Sequence, residues 1–156
     1  MIFVGVFAAD TLPPIPRSKR PCAYIVNTDP ISLPGQHWVV IYFGKKRRPA
    51  EYYDSYGRAP LPCFRNFINN YKMNKQIIQS SMTSTCGQHC IFYILKRCNG
   101  YSMEEILIHF KKEDLLSNDV MVNAEIEEKF GTRLALLNTT FIHKQISRAL
   151  NEEKSL

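Results

Sequence analysis

The segment CGQHC, residues 86–90, places two cysteines and a histidine within five positions, between a polar stretch and a long apolar run. Such side chains suit a metal site, a disulfide or a reactive thiolate. The apolar run predicts a buried helix that begins at Cys86, with Ser84 and Thr85 as candidate caps. A helix dipole favours negative charge at that end, and the backbone N–H groups there can hold an oxyanion. These features favour a thiolate nucleophile.

A thiolate nucleophile requires a base, and the base requires a third group that orients it. His37 is the best placed base, because it precedes Trp38 at the start of a predicted strand and follows a Pro-Gly turn. Asp54 lies on the predicted returning strand of the same hairpin, where it can meet His37 across the sheet. The remaining histidines lie in predicted helices: His89, His109 and His143.

The predicted elements indicate an α+β fold, a small and mostly antiparallel sheet packed with helices. Runs of β-branched and aromatic residues predict strands at 21–28, 37–43, 51–56 and 75–81, after a buried strand or turn in the first ten residues. Helical spacing of Phe64, Phe67, Ile68 and Tyr71 predicts a helix from Leu61 onward. Further helices are predicted at 86–98, at 118–130 and at 140–152. Another helix is predicted to begin at a capping box formed by Ser102 and Glu105.

Length and composition predict one globular domain, residues 1–156. Hydrophobic residues make up 45% of the chain and charged residues 22%, which is not the composition of a disordered protein. The apolar start lacks a basic leader and reaches Asp10 quickly, which argues against a signal peptide, and no run suits a membrane span. Five cysteines, an odd number, favour a reducing compartment over a disulfide framework.

The formal charge of +6 is concentrated in two basic clusters. One, at the tip of the predicted hairpin, consists of Lys45, Lys46, Arg47 and Arg48; the other spans residues 17–20. Such clusters fit attraction to a polyanion such as nucleic acid, a nuclear address, or solvated loop tips that aid solubility. Composition leaves these three interpretations open.

Four short motifs in order resemble the adenovirus-type cysteine proteases, the adenain family, and more distantly the SUMO-specific proteases. They are "CAYIVNT", "GQHWVVIYF", "YYDSYG", and Gln79 followed by "TCGQHC". The family order is His-Trp, an acidic residue on the next strand, a glutamine, then Cys-Gly at the start of a helix. The acidic member here is Asp, as in the SUMO-specific proteases, whereas adenoviral enzymes usually carry Glu. The resemblance spans roughly residues 2 to 98.

The resemblance implies a cysteine endopeptidase of the adenain type. Cys86 would be the nucleophile, His37 the general base and later acid, and Asp54 the group that orients His37. Gln79 would donate its side-chain amide to the oxyanion hole. No metal or cofactor is required for this chemistry.

The resemblance also implies a biological setting. Substrates would be capsid-type precursor proteins cut at glycine-containing sites, and the source an adenovirus-like virus or a Maverick/Polinton element. By analogy with adenain, DNA or a tethered peptide would activate the enzyme, with residues 45–48 contacting DNA and Cys63 the nearest candidate for tethering. The implied locations are the host nucleus or cytoplasm, or the virion, rather than the secretory pathway.

Three other functions remain open at this point. A zinc-binding module would use Cys86, His89, Cys90 and Cys98, but Cys98 lies two to three helical turns away and no second Cys/His pair accompanies them. A basic nucleic-acid-binding protein without protease activity would account for the charge. A deconjugase of ubiquitin-like modifiers would use the same chemistry on another substrate.

Overall fold

The computed structural model describes residues 1–15, 20–45 and 48–131. Within these ranges, five strands form one sheet in sequence order: β1 (Ile2–Phe7), β2 (Cys22–Asn27), β3 (Trp38–Phe43), β4 (Ala50–Tyr53) and β5 (Tyr71–Met73). The helices are α1 (Pro62–Ile68), α2 (Cys86–Cys98), α3 (Met103–Leu107) and α4 (Leu115–Phe130). The predicted α+β class is confirmed. The sheet is mixed, because the β1–β2 and β4–β5 pairs are parallel and the two central pairs antiparallel.

Apolar side chains on the two faces of the sheet form two separate cores, since successive residues of a strand point to opposite faces. On one face, Ile25 and Val40 belong to the core that contains α2, α3 and α4. On the other face, Tyr24 and Ile41 pack with Phe64 of α1. Because both faces are covered, β2 is buried at every position and β3 at all but its first.

Helix α2 begins and ends where the sequence predicts, and it lies inside the first core. Apart from Gln88, its residues from Cys86 to Leu95 are buried. The rings of Tyr93 and Tyr53 stack with centroids 4.1 Å apart, which ties the middle of α2 to the end of β4. Ser102 and Glu105 form the predicted capping box at the start of α3.

The structure differs from the sequence predictions between residues 69 and 81. Helix α1 ends at Ile68, because Asn69 adopts a positive φ of 40°, and Tyr71 opens β5 instead of extending the helix. Residues 75–81 are not a strand. The N–H groups of Ile78 and Gln79 both donate to the carbonyl of Ser55, an arrangement that a strand ladder does not provide.

Two further outcomes concern the ends of elements. The returning strand predicted at 51–56 is shorter, since β4 ends at Tyr53, and the helix predicted at 118–130 begins earlier, at Leu115. The helix predicted at 140–152 lies outside the described residues. In the described part of the chain, no helix combines the length and apolar character that crossing a membrane requires.

Candidate active site

Two strand ends bring His37 and Asp54 together. His37 directly precedes β3 and Asp54 directly follows β4, and the antiparallel pairing of these strands places both residues at the same end of the sheet. His37 Nε2 and Asp54 Oδ1 are 2.6 Å apart, and both residues are buried. The sequence placed Asp54 within the returning strand, whereas it is the first residue beyond it.

Hydrogen bonds hold both the carboxylate and the backbone of Asp54 in place. Its Oδ1 atom also accepts the Tyr56 N–H at 2.8 Å. The buried side chain of Asn74 accepts the Asp54 N–H at 2.9 Å and donates to the Asp54 carbonyl at 2.6 Å. Asn74 therefore holds both sides of the Asp54 backbone, a role that sequence reasoning missed because a single asparagine between a strand and a loop carries no pattern.

The turn after Asp54 requires a glycine. Gly57 has a φ of +64°, and its N–H donates to the Asp54 carbonyl at 2.8 Å. A Cβ atom at this position would lie 2.8 Å from the Lys75 carbonyl oxygen. The turn also brings the Tyr56 ring against His37, with centroids 4.9 Å apart. Trp38, the residue after His37, is half-buried and packs against the helical core.

The Cys86 side chain lies close enough to the His37 ring to affect its pKa. Since Nε2 bonds Asp54, the ring nitrogen left for the thiol is Nδ1. Burial by itself lowers the pKa of His37, but the hydrogen bonds and negative charges of Asp54 and Cys86 outweigh burial and raise that pKa to about 9. The raised pKa therefore favours the positively charged form of the ring at neutral pH.

The start of α2 lacks the predicted side-chain cap. Thr85 is the N-cap residue, but its side chain makes no capping bond, and its Oγ1 lies 3.1 Å from Thr83 Oγ1 instead. The N–H groups of the first turn of α2 therefore receive no capping oxygen from Thr85, and these are the donors that a helix leaves unsatisfied by its own carbonyls.

Gln79 is buried with a fixed amide orientation. The Ser55 hydroxyl donates to Gln79 Oε1 at 2.6 Å, and Gln79 Nε2 donates to the Thr83 carbonyl at 3.2 Å. An amide nitrogen carries two hydrogens, so this arrangement leaves one for another acceptor. Hydrogen bonds therefore hold both the oxygen and the nitrogen of the Gln79 amide, in the segment that precedes Cys86.

The remaining histidines do not bond His37, Asp54 or Cys86 among the contacts of the described residues. His89 is fully buried and bonds Asp119, His109 is exposed, and His143 lies outside the described residues. Among the described residues, no group of three or more His, Cys, Asp or Glu side chains is arranged to hold a metal ion. The set considered for zinc, Cys86, His89, Cys90 and Cys98, is therefore not such a group.

A basic cleft lies at the other end of α2. Its volume is about 1140 Å³, and its charged lining consists of Arg20, Lys45, Arg48, Lys72, Arg97 and Glu51. Glu51 is buried and pairs with Arg97 and Lys72 at 2.9 and 3.3 Å. The 13 residues of α2 separate this cleft from Cys86 by about 18 Å. Lys46 and Arg47 lie outside the described residues.

Comparison with solved structures finds similarity to a protease. A crystal structure of selenomethionine-labelled ASFV pS273R protease is similar with a TM-score of 0.47 and 23% sequence identity, covering 67% of this chain and 44% of that chain. A second crystal structure of ASFV pS273R protease gives a TM-score of 0.44 and 20% identity, covering 65% and 41%. This chain therefore spans less than half the length of pS273R. No protein-family model and no curated protein matches it.

Replacing Asp54 with Asn is expected to lower the pKa of His37 from about 9 by roughly 1–3 pH units, because the hydrogen bond and charge of the carboxylate are removed. A pH titration of the His37 ring by heteronuclear NMR measures this change. In the wild type, the raised pKa adds stability that is fully present below about pH 6.5 and is lost as the pH rises through about 9.

The control for this titration is Asp10→Asn, which removes an exposed carboxylate elsewhere and should leave the His37 titration unchanged. A His37 pKa that stays near 9 in Asp54→Asn would exclude Asp54 as the cause of the shift.

Proposed function

We propose that the protein is a cysteine endopeptidase. The observation that carries the proposal is the His37 ring, held between the buried Asp54 carboxylate and the Cys86 side chain at the start of a buried helix. Nucleophile, base and orienting group are the three parts that acyl transfer by a thiol requires. We assign these roles to Cys86, His37 and Asp54.

The first half of the reaction forms a thioester. The Cys86 thiolate attacks the carbonyl carbon of the scissile peptide bond, and the carbonyl oxygen becomes an oxyanion. Gln79 Nε2 and a backbone N–H near Cys86 donate to that oxyanion. The His37 imidazolium gives its proton to the amine nitrogen as the C–N bond breaks, which leaves an acyl-enzyme and a neutral imidazole.

The second half of the reaction releases the acyl group. Neutral His37 takes a proton from a water molecule, whose oxygen attacks the thioester carbonyl. The C–S bond then breaks, which restores the Cys86 thiolate beside the His37 imidazolium. Throughout both halves, Asp54 keeps Nδ1 of the ring directed to the sulfur and stabilises the charged imidazole.

We further propose that the substrates are capsid-type precursor proteins of a virus or virus-like element, cut at glycine-containing sites. This assignment rests on the resemblance of the His-Trp, Asp, Gln and Cys-Gly motifs to adenain. The corresponding sites of action are the host nucleus or cytoplasm, or the virion. A deconjugase of ubiquitin-like modifiers would use the same site, so a modifier fusion belongs in the substrate panel.

A second proposal concerns the basic cleft at the far end of α2. We propose that it contacts DNA through residues 45–48, two of which, Lys45 and Arg48, line it. Five basic side chains against one carboxylate give the cleft the charge that attracts a phosphate backbone. DNA bound there would lie about 18 Å from Cys86 and would act on the site through α2.

Hydrolysis of glycine-containing peptides tests the proposed reaction. Cys86→Ser is expected to abolish hydrolysis without loss of the fold, and Gln79→Ala to lower kcat by about 10²–10³ because one oxyanion donor is removed. Chromatography of the cleaved peptides and circular dichroism of each variant provide the two measurements. Cleavage confined to modifier fusions would assign the enzyme to the deconjugases.

Two matched variants control this experiment. Cys90→Ala removes a thiol from the next turn of the same helix, and Gln76→Ala removes an amide that donates to the Phe110 carbonyl. Both should keep kcat within about threefold of the wild type. Full activity in Cys86→Ser would end the proposal.

Replacing all four residues 45–48 with Gln is expected to weaken binding to duplex DNA and to flatten its salt dependence. The slope of log K against log salt should decrease by roughly one for each phosphate that the variant no longer neutralises. Fluorescence anisotropy over a salt series measures the slope. The control neutralises four exposed cations elsewhere: Arg65, Lys75, Lys111 and Lys112. Equal slopes for the two variants would show that residues 45–48 form a solvated hairpin tip that has no specific role in binding DNA.

A further inference from the structure

A second buried Asp–His pair lies one helical turn from Cys86. Asp119 of α4 is 1% exposed, and its carboxylate accepts three hydrogen bonds. Oδ1 faces His89 Nε2 at 2.8 Å, while Oδ2 accepts the Thr83 hydroxyl at 2.7 Å and the Ser80 N–H at 3.1 Å. One carboxylate therefore joins α4, α2 and the segment that leads to Cys86.

This segment, residues 78–85, carries the proposed oxyanion donor and is anchored from two sides. On the sheet side, the Ser55 carbonyl accepts the N–H groups of Ile78 and Gln79. On the α4 side, Asn118 Nδ2 donates to the Ile78 carbonyl at 3.0 Å. Asp119 accepts hydrogen bonds from Ser80 and Thr83. Since the segment has no ladder of its own, these anchors set its position.

Hydrogen bonds also connect Asp119 to the Gln79 amide through one intermediate residue, Thr83. The Thr83 hydroxyl that bonds Asp119 belongs to the residue whose carbonyl accepts Gln79 Nε2 at 3.2 Å. If Thr83 moves, the acceptor that orients the amide moves with it. Thr83 thus links the Asp119 carboxylate to the Gln79 amide, the proposed oxyanion donor.

The charge state of Asp119 suits an acceptor. Burial raises the pKa of Asp119, but hydrogen bonds from His89, Thr83 and the Ser80 backbone outweigh burial and lower that pKa. The ring atom His89 Nδ1 is buried without a hydrogen-bond partner among the described residues, so we assign the proton to Nε2, where it is donated to Asp119. An ionised carboxylate accepts all three donors at once.

We propose that Asp119 is a positioning residue of the protease site, which sets the place of the Gln79 amide relative to Cys86. The inference rests on the function proposed above. Asp119 reaches the segment through Thr83 and Ser80 and reaches the helix of the nucleophile through His89. It acts through these neighbours and does not touch the substrate.

Asp119→Asn keeps the size of the side chain but turns one acceptor into a donor. One of the three present donors, on His89, Thr83 or Ser80, then loses its acceptor. We expect kcat for peptide hydrolysis to fall by about 10- to 100-fold with KM changed less than threefold, since oxyanion stabilisation acts in the transition state.

Alkylation of Cys86 separates positioning of Gln79 from general damage. Iodoacetamide reacts with the thiolate by forming an S–C bond and expelling iodide, and no tetrahedral oxyanion arises. The alkylation rate in Asp119→Asn should therefore stay within about threefold of the wild type while hydrolysis falls. The matched control is Glu125→Gln, which removes a carboxylate from the same helix that pairs with Lys96 of α2 at 2.8 Å. This control should alter neither rate.

A double-mutant cycle tests whether the two residues act together. If Asp119 acts through Gln79, adding Asp119→Asn to Gln79→Ala should lower kcat no further. Thr83→Val removes the hydroxyl bond with little change of shape, and it should give the same pattern at about 3- to 10-fold if Asp119→Asn fails to fold. The proposal would be overturned if the losses of kcat in the double variant multiplied. It would also be overturned if Asp119→Asn left hydrolysis unchanged, or if it lowered hydrolysis and alkylation equally.

Amide hydrogen exchange distinguishes failure of this inference from failure of the proposed function. Exchange at residues 80–85 should be at least about 10-fold faster in Asp119→Asn than in Glu125→Gln, whether or not a peptide is cleaved. A wild type that hydrolyses nothing overturns the proposed function and the catalytic part of this inference. Unchanged exchange at residues 80–85 overturns the anchoring itself, even in an active protease.

Discussion

The buried bond between His37 and Asp54 is the interaction on which the rest of the site depends. A charged imidazole and a carboxylate are costly to bury, and removal of one partner from such a pair typically costs about 3–5 kcal/mol. Here the cost is offset by the 2.6 Å hydrogen bond and by further bonds to the carboxylate from Tyr56 and to its backbone from Asn74. These bonds leave His37 with one ring nitrogen to offer, and Cys86 lies beside it.

Helix α2 connects two groups of charges that the sheet keeps apart. Its first turn carries Cys86 beside the His37–Asp54 pair, and its last turn carries Arg97, which pairs with Glu51 in the basic cleft. Helix α2 extends from Cys86 to Cys98, with the apolar run 90–95 in its middle.

The sequence predicts the elements whose side chains repeat with a period, and it misses those held by single polar contacts. Helix α2 and strand β3 follow from apolar runs, with Cys86 at the start of α2 and His37 directly before β3. The strand predicted at 75–81 is wrong, because the N–H groups of Ile78 and Gln79 both bond the Ser55 carbonyl and that of Ser80 bonds the Asp119 side chain, so no strand ladder forms. Asp119 was missed because its partners lie 30 to 39 positions away, which no local pattern records.

The most direct test of an activated thiol is brief alkylation of the intact protein near neutral pH, with each labelled cysteine identified by mass spectrometry. If the thiol is activated, labelling should favour Cys86 over the exposed Cys63, although Cys86 is the more buried of the two. The preference should disappear in His37→Ala, because the imidazole that activates the thiol is gone. Labelling that simply follows exposure, or that is unchanged in His37→Ala, would contradict the account.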